Sequence, residues 1–359
     1  MTARKTTRRQ RGIVGTSLFV LCCSAHALAE VRHVPKAYPT IQSAIEACAA
    51  GDIVEVAPGL YEEGLVLGGR SITLRSTEGA AATIVDPVGG RCLTSIGQIG
   101  DAAHIEDFTF RGGIATRGGG VVIESSSPVL SNCVISGNST DGTACANGGA
   151  GVYVQSGDPR FVDCIISANT VLYGRGGGVR VFSGSQLLED CLIVENSVLG
   201  SCSSAGGGGI YSSAPLRFSS CTIELNVAGW SGGGWCKKGG ESWLENSDVR
   251  NNTSSTVGGV WQPSGGLSVL NTLFCGNGVN ISGSYTNLGG NQLNGQCAPF
   301  CMGDANGDTY INAEDLSEVL ADWGDCVTSP CYSDFNGDGV VGAQDLSQVL
   351  SNWGRCPGW

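Results

Sequence analysis

Charged residues, histidines and long hydrophobic runs are all scarce in this chain of 359 residues. Charged residues make up 14%, and 32 acidic residues outnumber 20 basic ones. This balance argues against a nucleic-acid partner, because phosphate binding needs a basic surface. The three histidines (His26, His33 and His104) are scattered, which argues against a histidine-based metal site or catalytic triad. No stretch approaches the roughly 18 apolar residues of a membrane helix, so no membrane span is predicted.

The N-terminus has the pattern of a secretory signal peptide. Basic residues precede the short apolar run Ile13–Cys23, and Ala27, Leu28 and Ala29 form a small-x-small cleavage site. We therefore predict a signal peptide over residues 1–29 and a secreted or extracellular protein. An uncleaved anchor is the alternative interpretation.

Glycine and cysteine, by contrast, are abundant. The 57 glycines show no three-residue period and alternate with Val, Ile, Leu and Cys, which excludes both a collagen helix and a disordered tract. Of the 17 cysteines, Cys22 and Cys23 leave with the signal peptide, so 15 remain. Because 15 is odd, at least one thiol stays free or pairs between chains.

An internal repeat fills the middle of the chain. A glycine cluster followed by a short strand recurs every 25 to 31 residues. In step with it, a cysteine, or later a serine or threonine, is followed five residues on by an asparagine: Cys133 and Asn138, Cys164 and Asn169, Cys191 and Asn196, Cys221 and Asn226, Ser247 and Asn252, Thr272 and Asn277.

These repeats predict a stacked β-structure. Each contains short β-type runs separated by turns, and one such unit is too small to bury its own apolar face. Stacking the units in parallel buries a continuous interior, with like residues lying on like. We therefore expect an inward ladder of reduced cysteines and a ladder of hydrogen-bonded asparagines at a turn.

The start of the chain adds to this pattern. Tyr38–Ile45 predicts a short amphipathic helix covering the open end of the stack, and Ile53–Val56 and Pro58–Tyr61 follow it. With the repeats, these segments resemble right-handed parallel β-helix proteins of the pectate-lyase-like superfamily over residues 31 to 295. We place the β-helix domain at residues 30–297.

The composition changes after Cys301, where the repeats Cys301–Pro330 and Cys331–Trp359 align without a gap. Each opens with a loop that has oxygen-bearing side chains at positions 1, 3, 5 and 12, a set that suits Ca²⁺ when a backbone carbonyl is added at position 7. We predict two Ca²⁺ ions. The predicted ligands are Asp304, Asn306, Asp308, Tyr310, Asn312 and Asp315 in the first loop, and Asp334, Asn336, Asp338, Val340 and Asp345 in the second.

Residues 301–359 resemble a type I dockerin, a duplicated Ca²⁺ loop–helix module that binds cohesins. The resemblance implies docking to a cohesin-like protein. Thr309 stands where the loop favours glycine, and Ala313-Glu314 and Ala343-Gln344 replace the usual partner-reading residues. The predicted fold class is therefore all-β: a right-handed parallel β-helix solenoid with a small α-helical, dockerin-like C-terminal domain.

The dockerin resemblance also implies a disulfide pairing for the cysteines of the tail. If the repeats pack antiparallel about a pseudo-twofold axis, as in dockerins, Cys301–Cys356 and Cys326–Cys331 clasp the two ends of the module. The rival pairing, Cys301–Cys326 with Cys331–Cys356, obeys the same symmetry.

Two aspartates are candidate catalytic residues. Asp163 and Asp190 occupy the same outward phase on successive coils, about 4.8 Å apart, and could form an acid/base pair or a lyase-type Ca²⁺ site. The alternative is a pair of solvated surface aspartates, because neighbouring coils have Asn132, Ser220 and Asn246 at that phase.

A second candidate is an outward row after the glycine clusters. Tyr153, Arg180, Tyr211 and Trp261 follow one another from coil to coil and are candidates for stacking on sugar rings. The alternative is a row of half-buried aromatic residues covered by the loops.

These patterns predict a secreted carbohydrate-active protein that binds or degrades an extracellular polysaccharide, docked to a complex or surface by its Ca²⁺-dependent tail. If it is an enzyme, a polysaccharide lyase or glycoside hydrolase is expected, although the motifs of a polygalacturonase are incomplete. The alternative is a non-catalytic structural or adhesive cell-surface protein of the same fold.

Overall fold

The computed structural model describes residues 29–99, 103–142, 144–145, 147–200, 206–293, 297, 303–305, 310–326, 333–335 and 340–355. Nearly all of the predicted signal peptide lies outside these residues. So do four predicted Ca²⁺ ligands and three of the four cysteines predicted to clasp the tail. These are Asn306, Asp308, Asn336, Asp338, Cys301, Cys331 and Cys356.

The β-helix is a parallel solenoid in which one coil crosses four sheets. A representative coil runs through Arg160–Val162 in sheet 1, Ile165–Ser167 in sheet 2, Thr170–Tyr173 in sheet 4 and Val179–Val181 in sheet 3. Each strand pairs in parallel with the equivalent strand of the next coil. The predicted stacking of equivalent residues is therefore confirmed.

Sheets 1 and 2 are the longest among the described residues, with 11 and 10 strands. The strands of sheet 1 are Val31–Val34, Ile53–Val56, Thr73–Ser76, His104–Glu106, Val129–Ser131, Arg160–Val162, Gln186–Glu189, Leu216–Ser219, Glu241–Glu245, Gly266–Leu270 and Thr286–Asn287. The strands of sheet 2 are Gly59–Tyr61, Thr83–Val85, Thr109–Arg111, Val134–Ser136, Ile165–Ser167, Leu192–Val194, Thr222–Glu224, Asp248–Arg250, Leu273–Cys275 and Gln292–Leu293.

Sheets 3 and 4 have 9 and 5 strands within the described part of the chain. The strands of sheet 3 are Leu65–Val66, Leu93–Ile99, Val121–Ser126, Val152–Val154, Val179–Val181, Ile210–Ser212, Trp235–Lys237, Val260–Trp261 and Ile281–Ser282. The strands of sheet 4 are Ser139–Thr140, Thr170–Tyr173, Ser197–Gly200, Val227–Ala228 and Thr253–Ser254.

The interior is built from apolar residues stacked coil on coil. On sheet 2, Ile135, Ile166, Ile193 and Ile223 lie directly above one another and are all fully buried. Burying one such side chain contributes about 2 kcal/mol. The repeated interior therefore stabilises the coils more than any single surface contact does.

The predicted asparagine ladder is confirmed at the corner between sheets 2 and 4. The Nδ2 of Asn169 donates to the Oδ1 of Asn196 at 2.9 Å and to the Ile135 carbonyl at 2.9 Å, and the Asn169 backbone N–H donates to the same Oδ1 at 3.1 Å. The same three bonds recur at Asn138, Asn196, Asn226 and Asn252. Buried amides that are fully paired in this way fix the register of the coils.

The predicted cysteine ladder lies at the corner between sheets 1 and 2. Its four cysteines are free and buried: Cys133, Cys164, Cys191 and Cys221. Each thiol donates to backbone carbonyls, as Cys164 does to Val162 at 3.3 Å and to Leu130 at 3.5 Å. These cysteines therefore act as small apolar residues, as predicted.

A short helix covers the N-terminal end of the stack, also as predicted. Helix α1 spans Ile41–Ala47 and begins at Thr40, whose Oγ1 accepts from the Ser43 N–H at 3.1 Å. Its buried face consists of Ile41, Ala44 and Ile45. At the other end of the stack, the Cys275–Cys297 disulfide joins the last coils to the segment that leaves them.

The C-terminal region contains two loop–helix units. Helix α2 spans Ala313–Ala321 and helix α3 spans Ala343–Ser351. Two short antiparallel ladders join Tyr310–Ile311 to Gly354–Arg355, and Gly324–Asp325 to Val340–Val341. Because the loop of each unit pairs with the end of the other, the units are related by a pseudo-twofold arrangement. They share a small core of Ala305, Ile311, Val319, Val341 and Val349.

Candidate functional site: the arginine edge of sheet 3

The predicted sugar-stacking residues lie on the outer face of sheet 3. In register from coil to coil, this outer row is Val122, Tyr153, Arg180, Tyr211, Cys236 and Trp261. Tyr153 and Tyr211 are each only 3% exposed and Arg180 is 5% exposed, whereas Trp261 is partly exposed. Tyr153, Arg180 and Tyr211 therefore offer no open face to a sugar ring, and the alternative of aromatic residues covered by the loops fits this part of the row.

What occupies the tyrosine faces is a set of guanidinium groups. Arg180 lies between the two rings, 5.6 Å from the Tyr153 centroid and 5.7 Å from that of Tyr211. Arg117 lies 5.5 Å from the Tyr153 ring and Arg175 lies 5.0 Å from the Tyr211 ring. Such cation–π contacts stabilise closely spaced cations on a surface.

The arginines that lie over the tyrosine rings interact differently from the arginines of sheets 1 and 2. Among the described carboxylates, none forms an ion pair with Arg117 or Arg175, whereas arginines of sheets 1 and 2 pair with carboxylates. Burial lowers the pKa of Arg180, and repulsion from Arg175 and Arg117 lowers it further. The face is therefore locally positive in a chain whose net charge is −12.

Arg117 and Arg175 sit at the corner where the chain passes from sheet 4 to sheet 3. Bridges align Arg117 with Gly148 and Gly148 with Arg175, so the two arginines occupy the same position two coils apart. Both side chains are partly exposed. Tyr173 and Trp230, which lie one or two residues before this corner on their own coils, are 48% and 44% exposed. We call Arg117, Tyr173, Arg175 and Trp230 the arginine edge.

The arginine edge was not among the predicted sites, although a sequence pattern marks two of its residues. Arg117 and Arg175 each come immediately before a glycine cluster, at Gly118 and Gly176. Aligning the residue before each cluster, as well as the one after it, would have found the pair. Tyr173 ends the sheet 4 strand Thr170–Tyr173 and Trp230 directly precedes Ser231, so the two residues do not share one phase of the repeat.

Asp163 and Asp190 are exposed and sit at the corner between sheets 1 and 2. Both have a left-handed backbone, with φ of 52°. Asn132, Ser220 and Asn246 adopt the same conformation at this corner. Since Asn and Asp tolerate left-handed φ better than most residues, the turn by itself accounts for the recurring residue type.

The two loop–helix units hold their predicted position-12 ligands in the same way. Asp315 is buried and accepts from the backbone N–H groups of Ala305 and Asn312, both at 2.8 Å. Asp345 is buried and accepts from Phe335 at 2.8 Å and Gly342 at 2.9 Å. This pattern folds each loop around a carboxylate, which fits a cation-binding loop.

The remaining predicted ligands and cysteines of the tail are only partly described. Among the described residues, no three His, Cys, Asp or Glu side chains are grouped so as to hold a metal ion. Asp304 and Asp334 are described, as are Tyr310, Asn312 and Val340. Cys326 takes part in a disulfide whose partner lies outside the described residues, so the clasp remains a prediction, and Cys145 is likewise bonded.

Together, the coils and ladders define a β-helix solenoid. Residues 94–315 match the model of the right handed beta helix region, and the chain belongs to this family. The match runs past the last parallel strand, Gln292–Leu293, into the first loop–helix unit, so we place the end of the solenoid by its strands. Among curated proteins no match was found.

None of the helices within the described residues has the length and apolarity to cross a bilayer.

Several solved structures are similar to the chain. Pectin methylesterase from carrot is 12% identical, with 65% of this chain and 84% of that chain covered and a TM-score of 0.32. The tailspike protein gp49 from Acinetobacter baumannii bacteriophage Fri1, a capsular polysaccharide depolymerase, is 11% identical (74% and 62% covered, TM-score 0.36). Alginate lyase from Paenibacillus sp. str. FPU-7 is 16% identical (70% and 94% covered, TM-score 0.32). Likeness at these scores carries no argument about activity.

Proposed function

We propose that this protein is a secreted polysaccharide-binding β-helix that holds an extracellular polysaccharide along the arginine edge. The observation that carries the proposal is that two exposed aromatic residues, Tyr173 and Trp230, lie along the same corner of the solenoid as the partly exposed Arg175. The C–H faces of sugars stack on flat aromatic surfaces, and a solenoid offers an extended surface to a polymer.

Binding is favoured over cleavage by the placement of the two candidate catalytic aspartates. Asp163 and Asp190 lie at the corner between sheets 1 and 2, whereas the arginine edge lies where sheet 4 leads into sheet 3. Their residue type is also accounted for by the left-handed turn. If Asp163 and Asp190 were catalytic, they would act on a chain bound away from the arginine edge.

The test measures the affinity of the full chain for a panel of acidic and neutral polysaccharides by calorimetry, together with assays for new reducing ends. Tyr173→Ala and Trp230→Ala should each weaken binding roughly five-fold, since a ring contact contributes about 1 kcal/mol. Trp243→Ala is the matched control, because Trp243 is a partly exposed ring on sheet 1. Equal losses in all three variants, or no binding to any polymer, would contradict the proposal.

The second part of the proposal is that residues 301–359 bind two Ca²⁺ ions and dock the protein to a cohesin-like partner. It is supported by the duplicated ligand pattern and by the matching backbone bonds to Asp315 and Asp345. When bound, Ca²⁺ would neutralise the carboxylates that these loops bring together.

Calcium titration of the full chain tests this second part. We expect uptake of two Ca²⁺, loss of helicity in chelator, and loss of the tighter site in Asp334→Ala, because the second loop has Gly339 where the first has Thr309. Glu62→Ala, an exposed change in the β-helix, should leave uptake unchanged. Absence of uptake at millimolar Ca²⁺ would exclude the calcium site and leave the polysaccharide proposal intact.

A further inference from the structure

We infer that the arginine edge selects a polysaccharide with one carboxylate in every second sugar, bound by Arg117 and Arg175. This inference rests on the proposed polysaccharide function and narrows it to a substrate class. It follows from the spacing of the two arginines, the way they are held and the charge around them.

The spacing is fixed by the coils. Arg117, Gly148 and Arg175 occupy equivalent corner positions on three successive coils. With coils about 4.8 Å apart, the two arginines are separated by roughly 9 to 10 Å along the solenoid. One disaccharide unit of an extended polysaccharide advances by a similar length.

The coil between the two arginines has no side chain at their corner position, because close packing of the backbones requires glycine there. Gly148 has no side chain, and a Cβ added there would lie 1.8 Å from the Arg175 carbonyl oxygen. Its φ of 140° is also one that L side chains rarely adopt. Along the corner itself, a charged side chain therefore recurs at every second coil from Arg117 to Arg175, and Arg180, whose guanidinium lies between them, is only 5% exposed.

Both guanidinium groups are held in place before any ligand arrives. Arg175 stacks on Tyr211 and its Nη1 donates to the Tyr211 hydroxyl at 3.2 Å. Arg117 stacks on Tyr153, with its guanidinium carbon 5.5 Å from the ring centroid. Held in this way, the guanidinium groups lose little further freedom when they bind a ligand.

Donor capacity remains on these groups. A guanidinium has five N–H donors, and the hydrogen bond that Arg175 forms with the described residues, from Nη1 to the Tyr211 hydroxyl, uses one of them. No described carboxylate pairs with Arg117 or Arg175 either. A carboxylate is the group that fits a guanidinium through two parallel hydrogen bonds.

The experiment compares three polymers on the folded full chain by calorimetry. They are an alternating polymer of glucuronic acid and N-acetylglucosamine, its carboxyl-reduced derivative, and a homopolymer of galacturonic acid. We expect the alternating polymer to bind tightest and carboxyl reduction to weaken it at least 10-fold. Arg117→Gln and Arg175→Gln should each cost roughly 10-fold, as loss of hydrogen bonds to a charged group does.

Control variants and polymers distinguish loss of the carboxylate contacts from misfolding and from failure of the proposed function. Arg160→Gln removes an arginine from sheet 1 and should not change affinity, and Arg175→Lys keeps the charge but loses the two-bond geometry. If the reduced polymer binds equally and the Arg117 and Arg175 variants match the wild type, the inference is overturned while polysaccharide binding stands. A preference for the homopolymer overturns the spacing argument. Failure of every acidic and neutral polymer to bind overturns the proposed function itself.

Discussion

The arginines of sheet 1 and those of the arginine edge belong to one solenoid but are balanced in different ways. On sheet 1, Arg160 pairs with Glu189 at 2.8 Å and Arg217 with Glu245 at 3.2 Å, each on the next coil. At the edge, Arg117 and Arg175 lie on tyrosine rings instead. The comparison shows that one coil spacing can either neutralise charges or hold like charges apart and leave them available to a ligand.

The largest effect on stability should come from breaking the asparagine ladder, which joins successive coils. Asn196→Ala would leave the buried Asn169 backbone N–H without its acceptor and would remove one bond each from the Asn169 Nδ2, the Ile166 carbonyl and the Asn226 Oδ1. We expect the free energy of unfolding to fall by roughly 3–5 kcal/mol, because each buried unpaired group costs about 1–3 kcal/mol. Chemical unfolding measures this change.

The matched control for the ladder is Asn132→Gly. Asn132 is an exposed asparagine with a left-handed φ of 51°, which glycine adopts freely. We expect a change within about 0.5 kcal/mol. A loss below about 1 kcal/mol for Asn196→Ala would show that the ladder does not set the register.

The next effect concerns the rings that separate the guanidinium groups. Tyr211→Leu removes the ring between Arg175 and Arg180, and should lower the free energy of unfolding by about 2–3 kcal/mol. Tyr211→Phe keeps the ring and loses only the bond from Arg175, so about 1 kcal/mol is expected. Equal losses for the two variants, measured by urea unfolding, would mean that the ring contacts do not stabilise the row.

A third prediction uses the free thiol of the outer row, Cys236. Burial raises its pKa from 9.0 to about 12. Because the folded state holds the proton more tightly, its contribution is complete below pH 9 and is lost as the pH rises towards 12. Between pH 8 and pH 10, wild-type stability should fall by about 1 kcal/mol more than that of Cys236→Ala. Parallel pH profiles for the two proteins would refute the burial argument.

The smallest effect is expected on sheet 1. The side chain of Arg217 is 57% exposed, and an exposed ion pair contributes about 0–1 kcal/mol. Arg217→Gln should therefore change the free energy of unfolding by less than about 1 kcal/mol, and the difference should shrink in high salt. Melting experiments at low and high salt measure this change. If the loss of stability were larger and the same at both salt concentrations, the contrast between the two faces would disappear.

Much of the solenoid could be predicted because its constraints repeat. An inward corner accepts a small apolar thiol in every coil, and a buried turn needs an amide that can donate and accept, so cysteine and asparagine mark the phase. The repeats could not decide whether the outer row of sheet 3 is open or covered, because the loops before it vary in length. For that reason Tyr153 and Tyr211 were expected outside, whereas the structure buries them under Arg117, Arg175 and Arg180.

The candidate catalytic pair shows a second limit of prediction from the repeats. The shared phase of Asp163 and Asp190 could be read from the sequence, and their exposure matches it. What the phase did not reveal is the left-handed turn, which prefers Asp, Asn and Gly whatever the function. A recurring polar residue in a solenoid must therefore be compared with the backbone conformation before it is assigned chemistry.

The most direct test of the central claim is a crystal structure of the full chain with an oligosaccharide of the alternating acidic polymer. The account predicts sugar rings along the arginine edge, with carboxylates on Arg117 and Arg175 and an uncharged sugar over Gly148. Oligosaccharide density on the paired arginines of sheet 1, at Arg160 or Arg217, would contradict it.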